Sequence, residues 1–332
     1  MRIRDAKSII IISLYLLGNA FIIGTSLLPG KSTITSRGQT GNLAPEYTII
    51  EELDYFHLKN GLPQMSLAAG RMQSLGQESA DFEGPQGVYN YKQKNKTIRY
   101  SADTGHYQKD QNVLGLDGEV EISSDEANYY ADRVKYFFKK DLIIGNGNVK
   151  FEGDDLQTKD HIVINSRSME AKPEAKLSQF KGDVRGTLER KKKYEGKMTF
   201  SAHRMDLEGN KSLAHLQGDV VMKRQGYLIT AGKADMYLEN YNKSLKYFVL
   251  NDDVKVTERM QTPEGVQERK AFAERLEGFG REQKMILSGA PRVEMGEDVI
   301  KGYRITIREN IDLVEVDDAM SDVQVKRKKS KE

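Results

Sequence analysis

The 332-residue sequence has no cysteine and no tryptophan. Without cysteine there is no disulfide scaffold and no thiolate chemistry, although the absence does not fix the compartment. Net charge is nearly absent too: 51 Lys and Arg against 49 Asp and Glu leave +2, which gives no electrostatic case for a nucleic-acid partner. Hydrophobic residues make up 38% and charged residues 30%. That apolar share is low for a compact globule of this length and suits an extended, surface-rich body.

Catalytic and metal signatures are missing as well. The five histidines (His57, His106, His161, His203, His215) share no metal-ligand spacing. Gly145-Asn146-Gly147 precedes no helix pattern, so it is not a phosphate loop. Asp154-Asp155 and Asp317-Asp318 read as solvated hairpin tips, and Arg190 to Lys193 with Tyr194 as a solvated turn. The Asn-Lys-Ser/Thr triplets at Asn95, Asn210 and Asn242 fall in predicted turns, where Asn is common anyway. No arrangement of acid, base and nucleophile emerges, and no cofactor is expected.

What the sequence does contain begins with an apolar segment. Between Lys7 and Lys31 lie 23 uncharged residues, Ser8 to Gly30, dominated by Ile and Leu. A helix of about twenty residues rises about 30 Å, the thickness of a bilayer's hydrocarbon core. Arg2, Arg4 and Lys7 precede it, which predicts a cytoplasmic N-terminus and an exported body. The alternative is a cleavable signal with its site at Gly18-Asn19-Ala20; the apolar residues that follow (Phe21, Ile22, Ile23, Leu27, Leu28) favour an uncleaved anchor. Residues 31–45 lack any apolar period and read as a linker, and 326–332 as a basic, disordered tail.

From about residue 47 the sequence alternates at period two, broken by turn residues every ten or so positions. Two patterns recur. One is Gly/Asn-x-Val-x-apolar, as in Gly118-Glu119-Val120-Glu121-Ile122, Gly147-Asn148-Val149, Gly182-Asp183-Val184 and Gly218-Asp219-Val220; looser copies centre on Val88, Val254, Val293 and Val323. The other pairs a small residue with an apolar or small one three positions on: Ala69/Met72, Ala102/Gly105, Ala131/Val134, Ser166/Met169, Ala202/Met205, Ala231/Ala234, Ala273/Leu276 and Gly302/Ile305. The patterns alternate strictly, eight times each, and the distance from small residue to next Val is 18 four times running. Turns such as Lys139-Lys140-Asp141, Lys172-Pro173-Glu174, Glu208-Gly209-Asn210 and Glu239-Asn240 separate them. Antiparallel strands joined by hairpins are the expected result.

The three-residue step from Ala202 to Met205 shifts the apolar parity by one, which predicts a β-bulge in the small-residue strand. Repeated bulges would bend every second strand across a corner, and Gly in the Val-bearing strand would serve the same bend. Two facing sheets would then enclose one apolar seam. Tyr129, Tyr136, Phe151, Phe180, Tyr237, Phe248 and Tyr303 read as core, and the seam itself as apolar and small residues only.

An anchor, a linker and serial Leu-x-Gly-x-Val hairpins resemble the LptC and LptA (OstA-like) family of lipopolysaccharide-export proteins. Ala44-Pro45-Glu46-Tyr47-Thr48-Ile49, Leu67-Ala68-Ala69 and Phe82-Glu83-Gly84-Pro85 look like the opening of an LptC domain, and Ser201-Ala202 and Thr230-Ala231 like OstA strands. The resemblance implies an all-β, elongated, open β-jellyroll after one N-terminal transmembrane helix. It divides the chain into an anchor (1–30), a linker (31–45), an LptC-like jellyroll (46–185), further LptA-like repeats (186–325) and a tail (326–332). A typical LptC domain would end near residue 185, so the four further units are a departure.

The implied function is lipopolysaccharide transport across the periplasm, without enzymatic activity, from an inner-membrane ABC exporter toward the outer membrane. The acyl chains would lie in a groove formed by Leu116, Val120, Ile122, Val149, Phe151, Val184, Met205, Leu207, Val220, Met222, Val254 and Val256. Implied partners are lipopolysaccharide, the LptBFG-like transporter, and an LptA-like bridge protein or outer-membrane translocon, with the chain held single-pass in the inner membrane. The final strand, at Ser321, Val323 and Val325, would be the docking edge. The competing expectation is a structural or adhesive envelope repeat protein with a filled core.

Overall fold

The computed structural model describes residues 47–322 except 60–61, 76–77, 92–95, 125–126, 141, 155–160, 173–174, 176, 190–196, 209, 212, 225, 240–243, 263–264, 280–281, 283, 309–313 and 318–319. The expected anchor, linker and tail, the Arg190–Tyr194 cluster, Asn95, Asn242, Asp155, Asp318, Val323 and Val325 lie outside the described residues. Among the described residues no helix is long and apolar enough to cross a membrane.

The described chain is all-β and antiparallel. It divides into two compact units, Met1–Leu156 with Ile162–Gly182, and Gln157–His161 with Asp183–Glu332. The first carries β1 (Tyr47–Lys59), β2 (Leu62–Leu75), β3 (Ser79–Glu83), β4 (Gln86–Tyr91), β5 (Lys96–Ser101), β6 (Thr104–Gln108), β7 (Val113–Ser124), β8 (Ala127–Phe137), β9 (Leu142–Asp154) and most of β10 (His161–Lys172). The division falls within β11 (Leu177–Glu189). The second unit continues with β12 (Lys197–Glu208), β13 (Leu213–Arg224), β14 (Tyr227–Glu239), β15 (Ser244–Thr262), β16 (Gly265–Phe279), β17 (Lys284–Ser288), β18 (Arg292–Met295), β19 (Asp298–Lys301), β20 (Arg304–Arg308), β21 (Val314–Asp317) and β22 (Met320–Asp322).

Pairing in the first unit shows how each strand turns a corner. β2 pairs with β3 through Arg71–Leu75 and with β4 through Met65–Ala68. Thus β3 and β4 are two pieces of one strand, interrupted at Gly84-Pro85, and β5 and β6 are likewise interrupted at Ala102-Asp103. Each long strand therefore contributes to two arms. They face each other: an ideal Cβ on Gly145, in one arm, would lie 1.9 Å from the hydroxyl of Tyr129, in the other. In the second unit β16 divides in the same way, pairing β17 beyond its corner and β18 before it.

The corner lies where the repeat predicts, but its extra residue sits on the opposite strand. Between β7 and β8 the pairs Asp117–Arg133 and Val120–Ala131 leave Gly118 and Glu119 facing Asp132 alone. Gln217–Lys233 and Val220–Ala231 enclose Gly218 and Asp219 against Gly232 in the same fashion. The bulge thus belongs to the Val-bearing strand. Its two residues are both left-handed, at φ 78° and 42° for Gly118-Glu119, 73° and 45° for Gly147-Asn148, and 80° and 46° for Gly218-Asp219. Two such residues advance the Val strand by four positions between inward side chains while the small strand advances by three, so both keep apolar groups inside. Corner backbone groups stay paired, as in Asp103 N–H to Gly118 O (2.9 Å) and Glu274 N–H to Gly289 O (3.2 Å).

Glycine at the corner has a second cause besides its freedom at positive φ. The side chain one place after the small residue lies directly over it: a Cβ on Gly147 would meet Asp132 Oδ2 at 2.1 Å, and one on Gly218 would meet His203 Nδ1 at 2.6 Å. Where the Val strand carries Asp252 in place of glycine, the neighbouring strand supplies Gly232, whose Cβ would lie 2.9 Å from that of Asp252. One of the two strands must give way at this crossing.

Candidate functional site

The inner faces of the arms are the chemically distinctive surface. The apolar member of each small-residue pair (Met72, Val134, Met169, Met205, Leu276, Ile305) is buried, as are Ala69, Ala102, Ala131, Ser166, Ala202, Ala231 and Ala273. Small side chains at the corner let the arms close on one another, and larger ones fill the space beyond.

Ten of the twelve groove candidates lie on these faces at 0–3% exposure: Leu116, Val120, Ile122 and Val149 in the first unit, and Val184, Met205, Val220, Met222, Val254 and Val256 in the second. Phe151 and Leu207 also point inward, opposite Tyr129 and Ala214, but are only half-buried. Val88 departs from the repeat. Its partner is Ser66 on the outer face, because the corner there is Gly84-Pro85, and Gly87 occupies the inward place. Tyr129, Tyr136, Phe180 and Phe248 are core. Phe151 is not fully so, Tyr237 is exposed on an outer face with its ring tilted against that of Tyr247 at 5.0 Å, and Tyr303 is 72% exposed.

The seam is not purely apolar, contrary to the sequence expectation. Arg269 in β16 is a register partner of Glu258 in β15, two places beyond the buried Ala271–Val256 pair. Both therefore face inward, with Arg269 only 5% exposed. Arg269 Nε donates to Glu258 Oε2 at 2.8 Å and Nη2 donates to the same oxygen. Such a pair survives burial only because each ion satisfies the other. A lone Arg in an alternating strand carries no sequence signal for facing inward; its position two places from Ala271 is the only hint.

In the first unit the inner face carries phenols beside the small buried serines Ser74, Ser166 and Ser178. Burial pushes the Tyr100 and Tyr129 hydroxyls well above the ordinary phenol value, and that of Tyr107 up to about 12. Tyr100 donates to Ser66 O at 3.2 Å across the space left by Gly87. The Ser66 hydroxyl in turn accepts the Val88 N–H at 3.2 Å. The Tyr129 hydroxyl is buried without a hydrogen-bond partner among the described residues.

Three histidines, His106, His203 and His215, lie on outer faces beside carboxylates. His215 Nδ1 is 2.6 Å from Asp235 and its Nε2 is 3.2 Å from Glu208; His106 meets Asp81, and His203 meets Asp219. Among the described residues no group of three His, Asp or Glu side chains is placed to hold a metal ion.

At the C-terminal end, Ser321 in β22 pairs with Ile300 of β19, and β21 pairs with β20.

Comparison with known proteins also gives two matches along the chain. Residues 20–189 match the family described as "Lipopolysaccharide-assembly, LptC-related". Residues 199–312 match "LptA/(LptD N-terminal domain) LPS transport protein". Among solved structures the chain is similar to LptH of Pseudomonas aeruginosa, described as the LptA-homologous periplasmic component of the lipopolysaccharide transport device. Identity to it is 13% and the TM-score 0.35, over 39% of this chain and 95% of that one. The search of curated proteins found no match.

Proposed function

The chain belongs to the LptC-related lipopolysaccharide-assembly family, with an LptA-type transport domain following in the same polypeptide, and we propose that it carries lipopolysaccharide acyl chains between the two arms of its bent strands. The observation that carries this reading is the largely apolar inward file of each unit, of which Val120, Val149, Val220 and Val254 are the repeating members, broken in the second unit by the Arg269–Glu258 pair. An acyl chain exposed to water loses about 0.8 kcal/mol per methylene. Entering the seam, it would exchange side-chain contacts for its own methylenes and recover that loss. Many weak, nearly equivalent contacts then permit sliding without a deep trap.

The LptC-type match on the first half and the LptA-type match on the second support a single chain covering both roles. The body would be periplasmic, held by the apolar segment Ser8 to Gly30 in the inner membrane. It would receive lipid from an ABC exporter at its N-terminal side. It would pass the lipid to a bridge protein or translocon at the edge formed by Ser321, Val323 and Val325.

A filled-core structural repeat is favoured by one observation, the tight packing of the inward side chains in both units. Photo-crosslinking separates the two readings. A photo-reactive residue at Val120, Val149, Val184, Val220 or Val254 should label lipopolysaccharide in intact envelopes. The outward neighbours Glu121 and Lys150 should not, because alternation puts them on the opposite face. Equal labelling of both sets would leave the filled core as the better account.

A further inference from the structure

The outer faces carry a feature the seam does not explain. Immediately outside the corner of the second unit, one residue from each of five neighbouring strands falls into a single cross-strand row: Thr230, Lys255, Phe272, Arg292 and Lys301. The bend roofs this row. Together with Asp253, Glu274, Gly289-Ala290-Pro291 and Tyr303 it lines a cleft of about 900 Å³. Arg292 is fixed over the Phe272 ring, 4.7 Å from its centroid, and by Glu294 at 2.9 Å; Lys255 approaches the same ring at 5.8 Å. Neither Lys255 nor Lys301 has a carboxylate partner among the described residues, although most outer-face cations of this unit do. Tyr303 leaves its ring largely open at the end of the row.

The first unit supplies an internal comparison. Its corner row at the equivalent place reads Ala68, Gln86, Ser101 and Glu121, and the cleft beside it holds Asp54, Glu121 and Arg99. The bend thus makes a cleft in each unit, but the concentration of cations belongs to the second.

We propose that the Lys255–Phe272–Arg292–Lys301 row with Tyr303 is a binding site for a phosphorylated saccharide on the outer face, separate from the apolar seam. Neighbouring strands lie about 4.8 Å apart, so Lys255 and Lys301 are spaced by roughly 14 Å along the row. That span fits a short oligosaccharide better than a single phosphate ion. Phosphate oxygens accept charge-assisted hydrogen bonds from the free ammonium groups and the pre-set guanidinium. Asp253 and Glu274 accept from sugar hydroxyls, and the open Tyr303 ring covers an apolar sugar face.

The full chain in detergent, titrated with deacylated, phosphorylated lipopolysaccharide oligosaccharide, tests this. Saturable binding is expected, weakening with salt and falling on the order of tenfold in K255Q/K301Q, which removes two charge-assisted contacts. R99Q, in the cleft of the first unit, should bind like the parent chain. Circular dichroism and seam labelling at Val220 should be unchanged in every variant, which keeps this site distinguishable from the seam reading. Competition by intact lipopolysaccharide would identify a lipid headgroup as the source. Failure to compete, with the soluble oligosaccharide still bound, would identify free glycan. Unchanged affinity in K255Q/K301Q, equal binding of phosphatase-treated oligosaccharide, or equal competition by inorganic phosphate would each overturn the assignment.

Discussion

Replacing Gly147 with alanine probes the corner on which the arms depend. Gly147 has φ 73°, and its Cβ would lie 2.1 Å from Asp132 Oδ2 and 2.9 Å from Asp132 Cβ. A left-handed Ala costs about 1–2 kcal/mol. Asp132 must also swing away, breaking the contacts of 3.0 and 3.2 Å that Asn148 Nδ2 makes to its carboxylate; exposed as they are, these add about 0.5–1 kcal/mol. The expected loss is therefore about 1.5–3 kcal/mol, a large share of a domain's net stability. Gly296 isolates the first effect, because it has φ 63° and nothing within 4 Å of its Cβ position. G296A should cost only the backbone strain. In a D132A background G147A should cost about 1 kcal/mol less than in the parent chain, a coupling that urea titrations of the four variants would resolve. Equal losses for G147A and G296A, with no coupling to Asp132, would refute the claim that glycine is there to admit the neighbouring side chain.

Two further outcomes follow from the geometry and a third from the proposed docking edge. R269M should destabilise its unit by about 3–5 kcal/mol by stranding Glu258, whereas R269M/E258L should recover most of that loss in chemical denaturation; equal losses would mean that the pair is hydrated. Tyr100, Tyr107 and Tyr129 have phenols raised above their ordinary value of 10.0, so their contribution is whole below pH 10 and is lost as pH rises through the folded values. Their phenolate absorbance should then appear together with loss of the sheet dichroism, and complete phenol ionisation of an intact sheet would contradict this burial. V323P, at the proposed docking edge, should leave dichroism unchanged but lower recovery of envelope partners in pull-downs, because proline cannot donate a backbone N–H to an added partner strand; undiminished recovery would move the docking edge elsewhere.

Period-two alternation and the eighteen-residue spacing determine a great deal by themselves. Each strand's inward set, such as Leu116, Val120 and Ile122, is legible because the pleat sends alternate side chains to opposite faces whatever the partner strand. The small residues at Ala131 and Ala202 mark the corners for the same local reason. Other features depend on what lies across the strand, and there the sequence is silent. The parity shift at Ala202/Met205 suggests a bulge in its own strand, yet the extra residue belongs to Gly218-Asp219, because only the pairing counts residues on both sides of a corner. The exchange of glycine between Gly218 and Gly232 is likewise a property of two strands crossing closely, visible in neither alone. Val88 turns outward because the first corner falls at Gly84-Pro85. Arg269 enters the seam because Glu258 meets it in register, and Lys255, Arg292 and Lys301, dispersed over 47 positions, form one row only when three hairpins align them. Alternation fixes a side chain's face, which is a local property of the pleat. Register fixes its neighbours, and register is set by turns and bulges that the tertiary structure alone assembles.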